Sequence, residues 1–365
     1  MFFFLSCILI KRKYDVVFYY PQHFNRGKNN ENSFFKHLFL SCDSNNISYI
    51  VFEEPDFTIK STRNSKAIPF DFIYLVVILL RKLFSSEMNT QVKDQKIGSF
   101  IAKIFFRQLH FKNYITLSQS MLSVFRGIDS HAILYDLQHG IIHNNKKHYL
   151  INGVAESNLV DNDANLLLSG ESYKEILVAN EKSDYFQKHT LVIGSDTSCR
   201  SILHEKFNKN ILITLQFTHD HTADENNILL KELSDFIASV KADVTLYLKH
   251  HPRFNNEVDL SEILELSNVK MAPIDINECF NLCSLHATTY SSSTFEAALL
   301  GIPTVLLHSE NEFNYFQKEF IYPLNFLTDE FDSIEFYQEK SKIVKGWAIA
   351  FYTPFNEHEF LNLLR

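Results

Sequence analysis

Short apolar runs alternate with stretches of helical periodicity along nearly the whole chain, and this alternation restricts the fold more than any other feature. The pattern predicts strands over residues 15–20, 47–52 and 114–117, one running into Gln138-His139-Gly140, and further strands over 165–168 and 190–194. Helices are expected over 32–41, 121–125 and 171–180, with a mainly helical stretch from 70 to 111. The second half repeats the scheme: strands over 211–215, 244–251, 269–271 and 287–290 are separated by helices over 224–240 and 276–283, and residues after 333 are again helical. Strands separated by helices pair in parallel through right-handed crossovers, so the expected class is α/β. A chain of 365 residues exceeds the usual size of a single core, and 45% hydrophobic residues suffice for two. The expected division is a first domain over 1–188, a second over 189–335, and a helical segment over 336–365 that packs back on the first.

Three segments carry chemistry. In Tyr290-Ser291-Ser292-Ser293-Thr294-Phe295-Glu296, a hydroxyl-rich turn opens a short helix that returns through Gly301-Ile302-Pro303 to a buried strand. The first backbone N–H groups of a helix lack intrahelical partners and carry partial positive charge, so Ser291, Ser292, Ser293 and Thr294 are expected to add hydroxyls at a phosphate site. Glu296, one turn in, is placed to meet ribose hydroxyls. The strand Val244 to Leu248 ends in Lys249-His250-His251-Pro252-Arg253, which puts cations at a strand's carboxyl end, where open α/β sheets bind ligands. Earlier, Ala132 to Leu137 delivers Gln138 and His139 to a strand end, with Gly140 permitting a sharp turn.

Taken together, these residues resemble bacterial glycosyltransferases of the GT-B type, which are built from two Rossmann-like domains facing across a cleft. The groups most similar assemble capsular polysaccharide or lipopolysaccharide and include sialyltransferases and Kdo transferases that use CMP-sugars. The polyol-phosphate polymerases of teichoic acid synthesis have a similar set, with Trp-His-Gly, His-Pro and a Ser-Ser turn followed by Phe-Asp. Here Leu137-Gln138-His139 replaces the tryptophan form and Glu296 replaces the aspartate, which favours the sugar-transfer branch.

The resemblance implies an acceptor-side first domain and a nucleotide-binding second domain. His139 is then the candidate general base, since an imidazole with a pKa near neutrality can take the proton of an acceptor hydroxyl, and Asp136 is the competing base. His251, with Arg253 and Lys249, would neutralise the departing phosphate, the role a metal plays in other transferases. The turn residues Ser291, Ser292, Ser293 and Thr294, with Glu296, complete the donor site, and Gln138, Gly140 and His219 line the cleft. His219-Asp220-His221 reads as a solvated or phosphate-facing loop rather than a metal site. No metal and no cofactor is expected beyond the nucleotide-activated sugar. A polyol-phosphate transferase using a CDP-alcohol and a degenerate, non-catalytic assembly partner are the alternatives.

A net charge of −8 and a pI near 6.1 argue against a nucleic-acid partner bound through a broad basic surface, although Lys146-Lys147-His148 can meet an anion locally. Five cysteines, odd in number and without paired zinc spacing, suit a reducing cytoplasm. Residues 1–10 are apolar but are followed, not preceded, by Lys11-Arg12-Lys13, the wrong order for a signal peptide. They are also shorter than the roughly twenty residues that span a bilayer. The apolar run 70–84 reads as a buried helix or as one lying on a membrane surface, so the expected location is cytoplasmic, with peripheral association at the inner face of the membrane. The partners expected are a nucleotide-sugar donor and a glycan or lipid-linked glycan acceptor.

Overall fold

The computed structural model describes residues 13–25, 27, 30–57, 63–84, 88–107, 109–144, 146–196, 207–218, 221–251, 254, 258–307, 314–324 and 333–365. The apolar amino terminus over 1–10, together with His219 and Arg253, lies outside the described residues. The chain divides into two compact units, one of Met1–Asp196 with Thr353–Arg365 and one of Thr197–Tyr352.

The first unit holds nine strands: β1 (Lys13–Pro21), β2 (Tyr49–Glu54), β3 (Ile68–Pro69), β4 (His110–Leu117), β5 (Ile133–Leu137), β6 (Leu150–Ile151), β7 (Val154–Ala155), β8 (Ala164–Leu168) and β9 (Thr190–Val192). Seven form a parallel sheet in the order β3-β2-β1-β4-β5-β8-β9, while β6 and β7 make a small antiparallel pair. β1 is an interior strand, and its run Val16 to Tyr20 is wholly buried, as a strand covered on both faces must be. Successive residues point to opposite faces. Phe18 accordingly meets Phe35 and Phe39 on one side, while Tyr19 meets Phe70 and Phe125 on the other.

The helical stretch expected over 70–111 resolves into helices Asp71–Leu83 and Thr90–Ile104, and its last two residues already belong to β4. The second of these helices packs against Leu122–Ile128 glycine to glycine. A Cβ on Gly98 would lie 2.0 Å from the Val124 carbonyl oxygen, and one on Gly127 would lie 2.0 Å from that of Gln95.

The second unit has five strands, β10 (Ile211–Thr214), β11 (Leu246–Lys249), β12 (Val269–Met271), β13 (Leu285–Thr288) and β14 (Thr304–Leu306). They form a parallel sheet in the order β12-β11-β10-β13-β14. Ile211, Ile213, Leu246 and Leu248 pack with Leu233 and Ile237 of the helix Ala223–Ser239. Leu212 faces the other side, with Cys279, Phe280 and Ala297.

The division differs from the boundaries expected at 188/189 and 335/336. β9 pairs with β8 and so extends the first sheet. The helix Ile334–Phe351 stays with the second unit, where Trp347 stacks on Phe295 at 4.6 Å. Only the tail returns. Gly194 has φ +78, and a Cβ there would lie 2.3 Å from the Pro354 carbonyl oxygen, so glycine is required where the returning chain passes. Ser195 N–H donates to Thr353 O at 2.8 Å, and the final helix Glu357–Leu364 buries Phe360 and Leu364 in the first unit's core.

Candidate functional site

In each sheet the strand order reverses beside the first strand, between β1 and β4 and between β10 and β13. Loops leaving the carboxyl ends of such strands diverge there and leave room for a ligand.

In the first unit, β1 runs into a short 3-10 turn, Gln22–Phe24, and β5 runs into Gln138-His139-Gly140. The His139 ring meets the Phe24 ring edge-on at 5.3 Å, and its Nδ1 is buried with no hydrogen-bond partner. Burial, and then the positive charges of Lys146, His148 and His23, push the imidazole down to about 4. This corrects the expectation of a pKa near neutrality: His139 is kept neutral across the physiological range, as a weak base. His23, which the sequence reading passed over, pairs with Asp56 at 3.2 Å, and its only signal in the sequence is its place just beyond a strand end.

Asp136 is fully buried beneath this edge. It accepts a 2.7 Å hydrogen bond from the Gln119 backbone N–H and a 3.5 Å bond from the Tyr149 hydroxyl. Burial pushes its carboxyl up to about 7. Gln138 is equally committed. Its amide oxygen accepts from the Ser169 N–H (3.0 Å) and hydroxyl (2.8 Å), and its amide nitrogen donates to Gly140 O at 2.8 Å. Both side chains hold loops in place rather than offering free groups. Gly140 is exposed and outside the left-handed region, and a Cβ there would meet nothing within 4 Å, so the turn does not require glycine. It leaves open space beside His139.

In the second unit, register places Lys249 beside Thr214 at the carboxyl edge. His250 stacks on Phe254 at 4.0 Å, and half-buried His251 follows it. The loops after β10 and β13 are joined by a 2.7 Å hydrogen bond between the Tyr290 hydroxyl and His221 Nε2. The serine-rich turn is only partly as expected. Ser291 and Ser292 are accessible, and Ser292 caps nothing with its side chain, but Ser293 and Thr294 are buried. Ser293 Oγ donates to Ser291 Oγ at 2.8 Å and contacts Thr214 Oγ1 at 3.0 Å, so its hydroxyl faces inward. Glu296 is half-buried on the first turn of a helix, Ser293–Leu299, only seven residues long.

Beneath the turn lies His286, which the sequence reading did not single out. It is fully buried, with Nε2 at 2.9 Å from Thr214 Oγ1 and 3.2 Å from Ser293 Oγ, and Nδ1 at 2.9 Å from Thr304 Oγ1. Burial pushes it down to about 3, so it remains neutral while tying β10, β13 and β14 to the turn. No group of three or more potential metal ligands occurs among the described residues.

The structure therefore gathers His139 with His23, Lys146 and His148 at one sheet edge. At the other it gathers Ser291, Ser293, Thr214 and His286, with Lys249 one strand away.

No protein-family model matches the chain, and no curated protein matches it in sequence. Solved structures do match it over its length. The UDP-GlcNAc 2-epimerase of Methanocaldococcus jannaschii is 14% identical, with 97% of this chain and 99% of that one covered, at a TM-score of 0.55. The same epimerase in complex with UDP-GlcNAc and UDP is 13% identical, with the same coverage and a TM-score of 0.51. The wall teichoic acid polymerase TagF is 14% identical over 100% of this chain and 90% of that one, at a TM-score of 0.50. At such identities the likeness establishes the fold: the chain is an α/β protein of the GT-B type, with two Rossmann-like units.

Proposed function

We propose that the protein is a glycosyltransferase that takes a sugar from a nucleotide donor, an acidic sugar carried on CMP, and adds it to a surface glycan or lipid-linked glycan. The observation that carries this reading is the convergence of hydroxyl and cationic groups at the second sheet's carboxyl edge, beside the reversal of strand order. The M. jannaschii structure with UDP-GlcNAc and UDP lends the reading support, since that protein shares the fold and holds a nucleotide-sugar.

In this reading Lys249, His251 and Arg253 neutralise the leaving phosphate without a metal, Ser291 and Ser292 hydrogen-bond to it, and Glu296 accepts from the ribose hydroxyls. His286 and Ser293 are positioning residues for the turn. The acceptor oxygen forms a bond to the sugar's anomeric carbon while the bond from that carbon to the phosphate oxygen breaks. The acceptor's proton goes to His139, which is neutral and able to receive it. Asp136, wholly buried, supports the loop beside His139.

A polyol-phosphate transferase using a CDP-alcohol is the second reading, drawn from the fold shared with the teichoic acid polymerase. The two differ in whether the product gains phosphorus. The test is a thermal-shift screen of CMP, CDP, UDP and GDP against the wild type, His251→Ala and Ser292→Ala, with transfer assayed with and without EDTA. Stabilisation by CMP that both variants weaken, with transfer surviving EDTA, is the expected result. Loss of all transfer in EDTA, restored by a divalent metal, would overturn the scheme.

A further inference from the structure

The helices Asp71–Leu83 and Thr90–Ile104 pack side by side on the first unit and leave an unusual surface. Phe72, Leu75, Leu79 and Leu83 follow one another at helical spacing and are all exposed, Leu79 by 60% and Leu83 by 80%. On the neighbouring helix Phe100 and Ile104 are exposed as well. Lys82, Lys96 and Lys103 are exposed on the two helices, while Asp71 is paired with Arg63 and Arg81 with Asp94, each at 2.6 Å. Such a face runs against the chain's net charge of −8.

The end of this face adjoins a cavity. The Phe72 and Phe105 rings meet at 5.6 Å, which sets the start of the first helix against the end of the second. From there Lys103 and Arg107 border an open cavity of about 940 Å³ at the amino-terminal edge of the sheet, with Lys13 and Lys112 on its wall. The acidic groups in the cavity wall are Asp15 and Asp129. Lys112 pairs with Asp15 at 3.1 Å and His110 lies 4.0 Å from Asp129, which leaves Lys13, Lys103 and Arg107 without an acidic partner among the described residues.

The geometry points to an anionic-lipid site: the cavity takes the phosphorylated headgroup, and the apolar stripe of the two helices lies in the outer acyl region of the same bilayer leaflet. Phenylalanine and leucine beside lysine form the composition by which helices lie in a membrane interface, and basic residues there are drawn to anionic lipid. A second copy of this chain is a poor occupant, because like charges would face one another across the contact. No helix among the described residues is long and apolar enough to cross a membrane, so this contact is with the surface only. The inference stands apart from the donor chemistry.

The test is flotation of the full chain with phosphatidylcholine vesicles and with equal mixtures of phosphatidylcholine and phosphatidylglycerol. Binding to the mixed vesicles alone is expected. Lys103→Gln with Arg107→Gln should weaken it by about fivefold per cation removed, the equivalent of about 1 kcal/mol each. Leu79→Ser with Leu83→Ser should abolish it, with unchanged circular dichroism showing both variants folded. Equal binding to phosphatidylcholine alone, or indifference to either double substitution, would overturn the proposal. So would burial of the face by self-association in light scattering.

Discussion

Replacing Asp136 by Asn keeps the shape of a fully buried side chain and removes its charge. The carboxyl has an ordinary value of 3.8, and burial pushes it up to about 7 in spite of the bonds from Gln119 and Tyr149. Each pH unit of displacement corresponds to about 1.4 kcal/mol, so the ionised group costs the first unit roughly 4 kcal/mol. Because the folded value lies above the unfolded one, Asp136's contribution is full below 3.8 and is lost as pH rises from there to about 7. Asn does not titrate. The variant should therefore lie about 1 kcal/mol below the wild type in acid, for the poorer fit of an amide, and gain on it through that window. Above pH 7 the advantage should level off at roughly 3–4 kcal/mol, allowing about 1 kcal/mol for the poorer fit of an amide. His37 and His139, both pushed down to about 4, titrate alike in the two proteins and cancel in the difference. Hydrogen exchange in β4 and β5 measures the first unit, while fluorescence of the single tryptophan, Trp347, follows the second unit as a control. A variant less stable than the wild type at pH 8, or one whose advantage ignores pH, would refute the burial argument. A hundredfold loss of turnover with full stability would return Asp136 to the role of base.

Three further outcomes are expected. His139→Ala should lower turnover by about a hundredfold with little change in nucleotide affinity by calorimetry, and near-normal turnover would remove His139 as the base. In Glu296→Gln, the preference for CMP over its 2′-deoxy analogue, worth roughly 1–3 kcal/mol in the wild type, should shrink; an unchanged preference would mean that Glu296 does not contact ribose. The second unit should lose stability as pH falls from 6.5 towards about 3, because the unfolded His286 takes up a proton there that the buried ring does not, and Trp347 fluorescence in His286→Leu should show a flatter acid limb than in the wild type.

The parts of the fold legible in the sequence are those fixed by local pattern. The helix expected over 171–180 is Glu171–Asn180, and the continuous apolar run of β1 marks a strand covered on both faces. Gln138-His139-Gly140 and Lys249 to His251 do stand at strand ends. What pattern does not carry is the direction of a hydroxyl or the basicity of an imidazole. Ser293 and Ser292 are interchangeable by type, yet one is buried against Thr214 and the other faces water. His286 lies within an apolar strand, and its partners Thr214, Ser293 and Thr304 are 72, 7 and 18 residues away, so no local spacing discloses it. The apolar run 70–84 reads from its sequence first as a buried helix, and pattern alone does not disclose that Leu79 and Leu83 are exposed.

His139 shows how such environment enters chemistry. Its depressed basicity comes first from burial and then from Lys146, His148 and His23, three groups that can carry positive charge at the same sheet edge. Those groups weaken the base and attract an anion by the same field. An anionic group held among them cancels part of their repulsion of a proton on the imidazole, so the base strengthens when such a ligand is present. On the proposed reading this favours a substrate that brings its own negative charge. With a neutral substrate, burial and cations together would leave His139 too weak a base to draw a proton from a sugar hydroxyl efficiently.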